Sequence, residues 1–247
     1  MATLKQPDLS IVIPAYREEK RIGTSLDKLA VFLRQDDFIK TKTVEVIVVA
    51  ADALDKTQEI VLNKANLFEQ LVLLKPGPKL GKGRDVKYGM LKANGKMVAF
   101  MDADLATPLY HLNQFYQACE QGSDVVISTR NLLTYRKNFT RRCLSYAGNL
   151  LFRLIGGLWV EDSQCGFKLF NRKAAKLCFA NLSILGWGFD MEVLAIAKSN
   201  KLKIKAYRIN DWDNMPNSTF DENIFITILN SIKNLWQITK IRFYTIK

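Results

Sequence analysis

Gly95-Lys-Met-Val-Ala-Phe-Met-Asp102-Ala-Asp104-Leu105 is the stretch on which the reading of this chain turns. Residues 97–101 are an unbroken apolar run, the pattern of a strand buried on both faces. Two carboxylates follow at once, separated by one small residue. In open α/β sheets, ligands bind beyond the carboxyl ends of the strands. Asp102 and Asp104 are hard oxygen donors that suit one Mg²⁺ or Mn²⁺ and, through it, a nucleotide diphosphate. Taken alone, an Asp-x-Asp at a strand end is more often a solvated turn, so its meaning rests on what surrounds it.

Working outward, strands are expected at 9–13, 44–49, 71–74 and 124–128, and helices at 18–33, 55–67 and 108–121. Asp55 is the expected N-cap of its helix. Gly81-Lys-Gly83 forms a loop before a helix over 85–93. Later come a helix over 136–155, a strand at 166–170, helices at 172–179 and 190–199, and an edge strand at 202–209. The repeated βα units predict an α/β fold with a mostly parallel central sheet and helices on both faces. One domain over 1–222 is expected, followed by an amphipathic helix over 223–247 with Phe225, Leu229, Ile232 and Trp236 on one face.

Composition narrows the function. An apolar content of 48% and a charged content of 24% are ordinary for a globular chain. Thirty-six basic against 24 acidic residues give +12, which favours an anionic partner such as a nucleotide, a phosphorylated lipid or a membrane surface. For individual lysines a solvated surface competes with that reading. No helix-turn-helix, zinc-finger or RNP pattern supports nucleic acid, so none is expected as a partner. The four cysteines lack C-x-x-C spacing and His111 is the sole histidine, which argues against a zinc site or a Cys–His dyad. Reduced thiols, no signal-peptide pattern and no apolar run of about 18 residues predict a cytoplasmic protein without a spanning helix.

Ile13-Pro-Ala-Tyr-Arg-Glu-Glu19, the Asp102/Asp104 pair, Asp162-Ser-Gln-Cys-Gly-Phe-Lys168 and Gly186-Trp-Gly-Phe-Asp-Met-Glu192 occur in the order seen in family 2 glycosyltransferases. The chain resembles the polyprenyl-phosphate branch of that family over roughly residues 9–220. Gly81-Lys-Gly-Arg-Asp-Val-Lys-Tyr-Gly-Met90 and Gln164-Cys-Gly-Phe-Lys-Leu-Phe170 make it most similar to the dolichyl-phosphate β-glucosyltransferases. The resemblance implies a GT-A nucleotide-diphospho-sugar fold. It implies an inverting, metal-dependent enzyme that moves a hexose, glucose from UDP-glucose, onto a polyprenyl or dolichyl phosphate at the cytosolic face of a membrane. It assigns donor binding to Pro14, Ala15, Tyr16, Glu18, Asp52, Lys82, Asp102 and Gln164. Asp102 and Asp104 would hold Mg²⁺ or Mn²⁺. Arg130, Arg141 and Ser145 match positions that hold the acceptor phosphate, and Gln164 and Asp190 lie in motifs that line the sugar pocket.

Each assignment has a plainer alternative. Tyr16 could stack on a base or be a core aromatic at a turn. Glu18 could accept from a base imide or be a first-turn helix carboxylate. Gly81-Lys82-Gly83 could cradle an anion at a helix start or be a solvated basic turn. Arg130 and Arg141 could belong to a basic surface cluster with Arg136, Lys137 and Arg142. Gln164 could be a turn amide, and Asp190 a helix N-cap. The chain also departs from the family's pattern. Ala50 and Ala51 replace an Asp pair, with Asp52 one residue on. Ala106 stands where mannose-type relatives carry a metal-binding Gln, although glucose-type relatives also have Ala. The segment Trp212-Asp-Asn-Met-Pro-Asn-Ser-Thr219 lacks a Gly and a Lys. A glycan or other lipid acceptor, or a catalytically silent nucleotide-sugar binding module, are the competing functions. A terminal helix over 224–241, with Lys233, Lys240 and Arg242, is expected to meet an anionic membrane surface.

Overall fold

The computed structural model describes residues 6–130 and 164–212; the expected helices over 136–155 and 223–247, and the boundary at 222, lie outside them. Strands β1 (Leu9–Ala15), β2 (Val44–Ala50), β3 (Gln70–Leu74), β4 (Met97–Met101), β5 (Val125–Arg130), β6 (Phe167–Asn171) and β7 (Ile204–Ile209) form one sheet. Its order is β3-β2-β1-β4-β6-β5-β7. The β1–β2, β1–β4, β2–β3 and β5–β7 pairs are parallel. Strand β6 runs antiparallel to both β4 and β5. The sheet is therefore mostly parallel, and β7 lies on its edge as expected.

Helices α1 (Ile22–Gln35), α2 (Thr57–Asn63) and α4 (His111–Glu120) cover one face, and α3 (Lys82–Lys92), α5 (Arg172–Ala180) and α6 (Phe189–Ser199) the other. Alternation along the strands supplies both cores. Ile11, Ile13, Val46 and Val48 face the first set, whereas Val12, Ile47, Val49 and Phe100 face the second. Gly89 lets α3 sit on the sheet, since a side chain there would strike Val12 and Val49.

Several boundaries differ from the sequence expectation, each for a local reason. Strand β1 continues through Pro14 to Ala15, because its β4 ladder stops at Val12 and only the β2 side remains paired. The helix expected over 55–67 is α2 plus a separate 3₁₀ turn at Ala65–Leu67. Asp55 is not the N-cap. That position is Lys56, and Asp55 instead accepts from the Thr57 hydroxyl at 2.6 Å. Helix α3 begins at Lys82, three residues earlier than expected.

Candidate active site

The acidic pair leaves β4 in a tight turn. Asp102 N–H donates to Gly166 O at 3.0 Å, and Leu105 N–H to Asp102 O at 3.1 Å. Leu105 takes φ 51, the left-handed region a non-glycine residue enters only when its surroundings fix it. Ala106 contributes its backbone N–H, 3.1 Å from Asp104 Oδ1. Lys82 reaches across from the first turn of α3, its Nζ 2.5 Å from Asp102 Oδ1. That oxygen is buried and makes no aligned hydrogen bond, so the attraction is ionic. A side chain at Gly166 would displace the Asp102 carboxylate, because a methyl group there would collide with both of its oxygens. The motif around Gly166 is visible in the sequence, but its place against Asp102 is not, since the two lie 64 residues apart.

Negative charge is in excess here. Burial, and then the Asp102 carboxylate, push the Asp104 pKa up against the Ala106 N–H, Lys82 and Arg21. Burial lowers the Lys82 pKa, yet the carboxylates of Asp102, Asp190 and Asp104 outweigh it and the net direction is up. Asp190 is paired with Lys168 at 2.5 Å. Burial raises its pKa against the pull of Lys168 and Lys82. Lys168 is fully buried; its Nζ also donates to Cys165 O at 2.6 Å and lies 5.1 Å from the Phe100 ring centre. Asp190 is therefore not an N-cap, which is Gly188; it is a first-turn residue of α6 in a buried ion pair. A lone Lys inside the apolar run of a doubly covered strand was the sequence signal for that pair.

The glycines around Lys82 serve the protein's own backbone. A side chain at Gly81 would strike Leu185 O, and one at Gly83 would come within 2.8 Å of Ile184 O and 2.6 Å of Phe189 Cβ. Gly81 also takes φ 132. The Arg84 N–H donates to Leu185 O at 3.1 Å, so the helix start is committed in part to the 184–186 segment. The glycine loop thus packs on this segment, which corrects its reading as a solvated turn. Glu192 holds the same segment, accepting from Ser183 N at 3.0 Å, Ser183 Oγ at 2.6 Å and Ile184 N at 2.6 Å. Half-exposed Trp187 lies 5.1 Å from Lys82 Nζ.

Beyond β1, β2 and β3 lies a second group. Tyr16 is part-exposed with Lys79 Nζ 3.6 Å from its ring centre, a cation–π contact at a turn and not a core position. Glu18 precedes α1, and its carboxylate takes both Arg21 Nε at 2.8 Å and Nη2 at 3.0 Å. Burial, with Asp104 and Asp102 adding to it, raises the Glu18 pKa against Arg21. Glu18 is thus not in the helix's first turn, and it shares the field of the acidic pair. Ala50 and Ala51 are buried, whereas Asp52 is exposed and bridges by backbone to the 77–78 loop. Arg84 pins that loop, donating to Pro76 O and Pro78 O, each at 2.5 Å.

A small pocket opens on the pair, lined by Asp102, Asp104, Thr107, Gly166, Phe167 and Trp212 among others. Gln164, two residues before Gly166, is exposed. The backbone of Arg130 closes β5, while Arg141 and Ser145 lie outside the described residues.

The donor set fits Mg²⁺ or Mn²⁺. Two carboxylates separated by one residue, crowded enough that each other's charge is felt, are hard oxygen ligands for such an ion. Among the described residues no group of three or more His, Cys, Asp and Glu could hold a metal ion, so the remaining ligands would be phosphate and water.

Residues 10–179 match the family described as Glycosyl transferase family 2. A dolichyl-phosphate β-glucosyltransferase of Trichomonas vaginalis is 31% identical over 220 residues, 85% of this chain and 67% of its own length. That of Drosophila melanogaster is 32% identical over 224 residues, 85% of this chain and 68% of its own. Among solved structures, glucosyl-3-phosphoglycerate synthase from Mycobacterium tuberculosis in complex with Mn²⁺, UDP and glucosyl-3-phosphoglycerate superposes with a TM-score of 0.65 at 18% identity, covering 95% of this chain and 80% of that one. Mannosyl-3-phosphoglycerate synthase from Rubrobacter xylanophilus gives 0.69 at 15% identity, covering 96% and 74%. These two likenesses are likenesses of fold, of the GT-A type.

Proposed function

The chain belongs to glycosyl transferase family 2, and from that premise we propose that it transfers glucose from UDP-glucose to a dolichyl or other polyprenyl phosphate with inversion. The observation that carries the reading is the Asp102/Asp104 pair, part-buried and crowded together at the end of β4, with Lys82 against it. Asp102 and Asp104 would hold Mg²⁺ or Mn²⁺, which supplies charge stabilisation to the departing diphosphate. Lys82 adds its ammonium on the same side. Gly166 and Lys168 keep Asp102 and Asp190 in place. Asp190, buried against Lys168, backs Lys82 from behind the sugar site; Gln164 faces the sugar, and Pro14, Ala15, Tyr16 and Glu18 form the wall for the base. The nucleophile is an anionic phosphate, so no strong general base is required. Arg130, Arg141 and Ser145 orient that phosphate for in-line attack at the anomeric carbon.

The test is a donor screen with a polyprenyl-phosphate acceptor and Mg²⁺ or Mn²⁺, the labelled product being identified by mass. Glucosyl polyprenyl phosphate is expected from UDP-glucose; product from another sugar nucleotide, or on a glycan acceptor only, overturns the assignment. Arg141→Ala should cost about ten- to a hundredfold in acceptor kcat/KM and leave donor binding intact. A silent binding module is the second reading, favoured by Ala50 and Ala51, which leave exposed Asp52 as the carboxylate nearest the end of β2. Donor binding with neither transfer nor hydrolysis would establish it.

The lipid acceptor requires approach to a bilayer. No helix among the described residues is long and apolar enough to cross a membrane. The segment over 224–241 is proposed as the surface contact, on the cytosolic side. The protein should sediment with anionic vesicles at low salt and much less at high salt. Indifference to such vesicles at low salt would favour a soluble acceptor.

A further inference from the structure

We propose that Tyr110, His111 and Asp211 form a latch that seats Trp212 on the acidic pocket, and that all three are positioning residues for the hexose of the donor. The inference rests on the donor reading above and adds to it the means by which one wall of the sugar site is held.

Asp211 and Trp212 follow β7, the edge strand paired only with β5. Nothing in that ladder turns the chain inward after Ile209. The turn is secured from the other side of the pocket. The Asp211 carboxylate accepts from the Tyr110 hydroxyl through one oxygen and lies 3.0 Å from His111 Nε2 through the other. Tyr110 and His111 stand at the start of α4, directly after the 102–107 turn that carries the two acidic side chains. Their rings lie 4.2 Å apart at 36°, so the two donors are held as one unit. His111 is 7% exposed, and burial lowers its pKa against a contribution from Gln114. The neutral imidazole then donates through Nε2–H. With Asp211 fixed, the next residue, Trp212, becomes a wall of the pocket beside Asp102, Asp104 and Gly166. An indole at the mouth of a carboxylate-lined pocket offers a flat apolar face to the C–H side of a pyranose, while the carboxylates serve the polar end of the ligand. The latch thus joins two of the chain segments that bound the pocket, the acidic turn and the β7 exit, across from Gly166 and Phe167.

The experiment uses the full chain. Asp211→Ala, Trp212→Ala and the double variant are compared with wild type by calorimetric titration of UDP-glucose and of UDP in Mn²⁺. Each single variant should weaken UDP-glucose about three- to tenfold and leave UDP within about twofold. The double variant should be no weaker than Trp212→Ala alone, since the carboxylate acts through the indole. Additive losses, or equal losses for UDP, overturn the proposal. A second readout needs no ligand. Acrylamide quenching of the Trp212 emission, taken as the difference between wild type and Trp212→Phe, should rise in Asp211→Ala and in His111→Ala. It should be restored towards wild type in His111→Gln, which keeps a donor. Unchanged quenching overturns the latch whatever the binding data show. Raised quenching in a protein that binds neither UDP-glucose nor UDP supports the latch and refutes the donor reading. If Asp211→Ala melts early, Tyr110→Phe, at a half-exposed ring, carries the same comparison.

Discussion

At the amino-terminal ends of the strands Glu45 is buried and bonded by neutral donors alone, whereas at the carboxyl ends Asp102 and Asp104 are crowded together with Lys82 held against Asp102. Glu45 accepts from the Ser10 hydroxyl, from Asn94 N at 3.0 Å and Nδ2 at 3.3 Å, and from Gln70 Nε2 at 3.2 Å. These are neutral donors that tie β1, β2, β3 and the lead-in to β4 together. At the other end, Asp102 Oδ1 lacks an aligned donor, and Asp104 sits in the field of Asp102. A bonded carboxylate closes a fold; a crowded pair keeps electrostatic potential available to a ligand. The difference separates residues held for stability from residues held for chemistry.

The sharpest way to break the comparison is to remove the crowded pair. Asp104→Ala should lower transfer by at least about a hundredfold without lowering Tm. The sign follows from linkage: a carboxylate whose folded pKa is raised costs stability once the pH exceeds its unfolded value. The variant should therefore gain Tm at pH 7 relative to wild type and gain less at pH 4, as thermal melts at both pH values would check. Glu45→Ala should do the reverse. It strands several buried donors, which costs about 2–4 kcal/mol in urea unfolding, while transfer per folded molecule stays unchanged.

Two glycines sharpen the same contrast. Gly166→Ala should weaken Mn²⁺-dependent UDP binding about tenfold in calorimetry with little change in Tm, because its methyl group would meet a carboxylate that can swing aside. Gly95→Ala should lose Tm instead, because its methyl group would come within 2.6 Å of Met97 O and 2.8 Å of Leu9 C, which are backbone. The smallest effect is expected at Asp8. Its bond from Lys96, then those from Thr43, hold its pKa down at about 2 against the usual 3.8. Its stabilisation is thus full above about pH 4 and lost as pH falls towards 2. Lys96 is half exposed, so Asp8→Asn should cost only about 1 kcal/mol at neutral pH, with the difference disappearing as the pH falls through and below about 2.

Sequence made the strands legible because β-branched and apolar runs between turn residues admit few other structures. The expected run over 97–101 is β4 as found, and the carboxyl-end position of Asp102 and Asp104 follows from it. Lys82 was legible as a residue of the site. The reason for its neighbouring glycines was not, because the backbone they admit, 184–186, lies about a hundred residues away. The direction of β6 is invisible in its sequence, since parallel and antiparallel strands covered on both faces carry the same pattern. The Asp211–His111 contact leaves no trace either, because neither residue stands in a periodic or motif context. Local chemistry was readable; pairings set by topology were not.

The antiparallel course of β6 has a consequence for how this architecture can be altered. Strand β5 ends at the carboxyl rim with Arg130, and β6 starts at that same rim, with Gly166 against Asp102. The end of β5 and the start of β6 therefore stand on the rim that carries Asp102 and Asp104. A substitution at the start of β6 thus reaches the acidic turn directly, whereas one at its far end, at Asn171 beside Met97, acts on the opposite rim of the sheet.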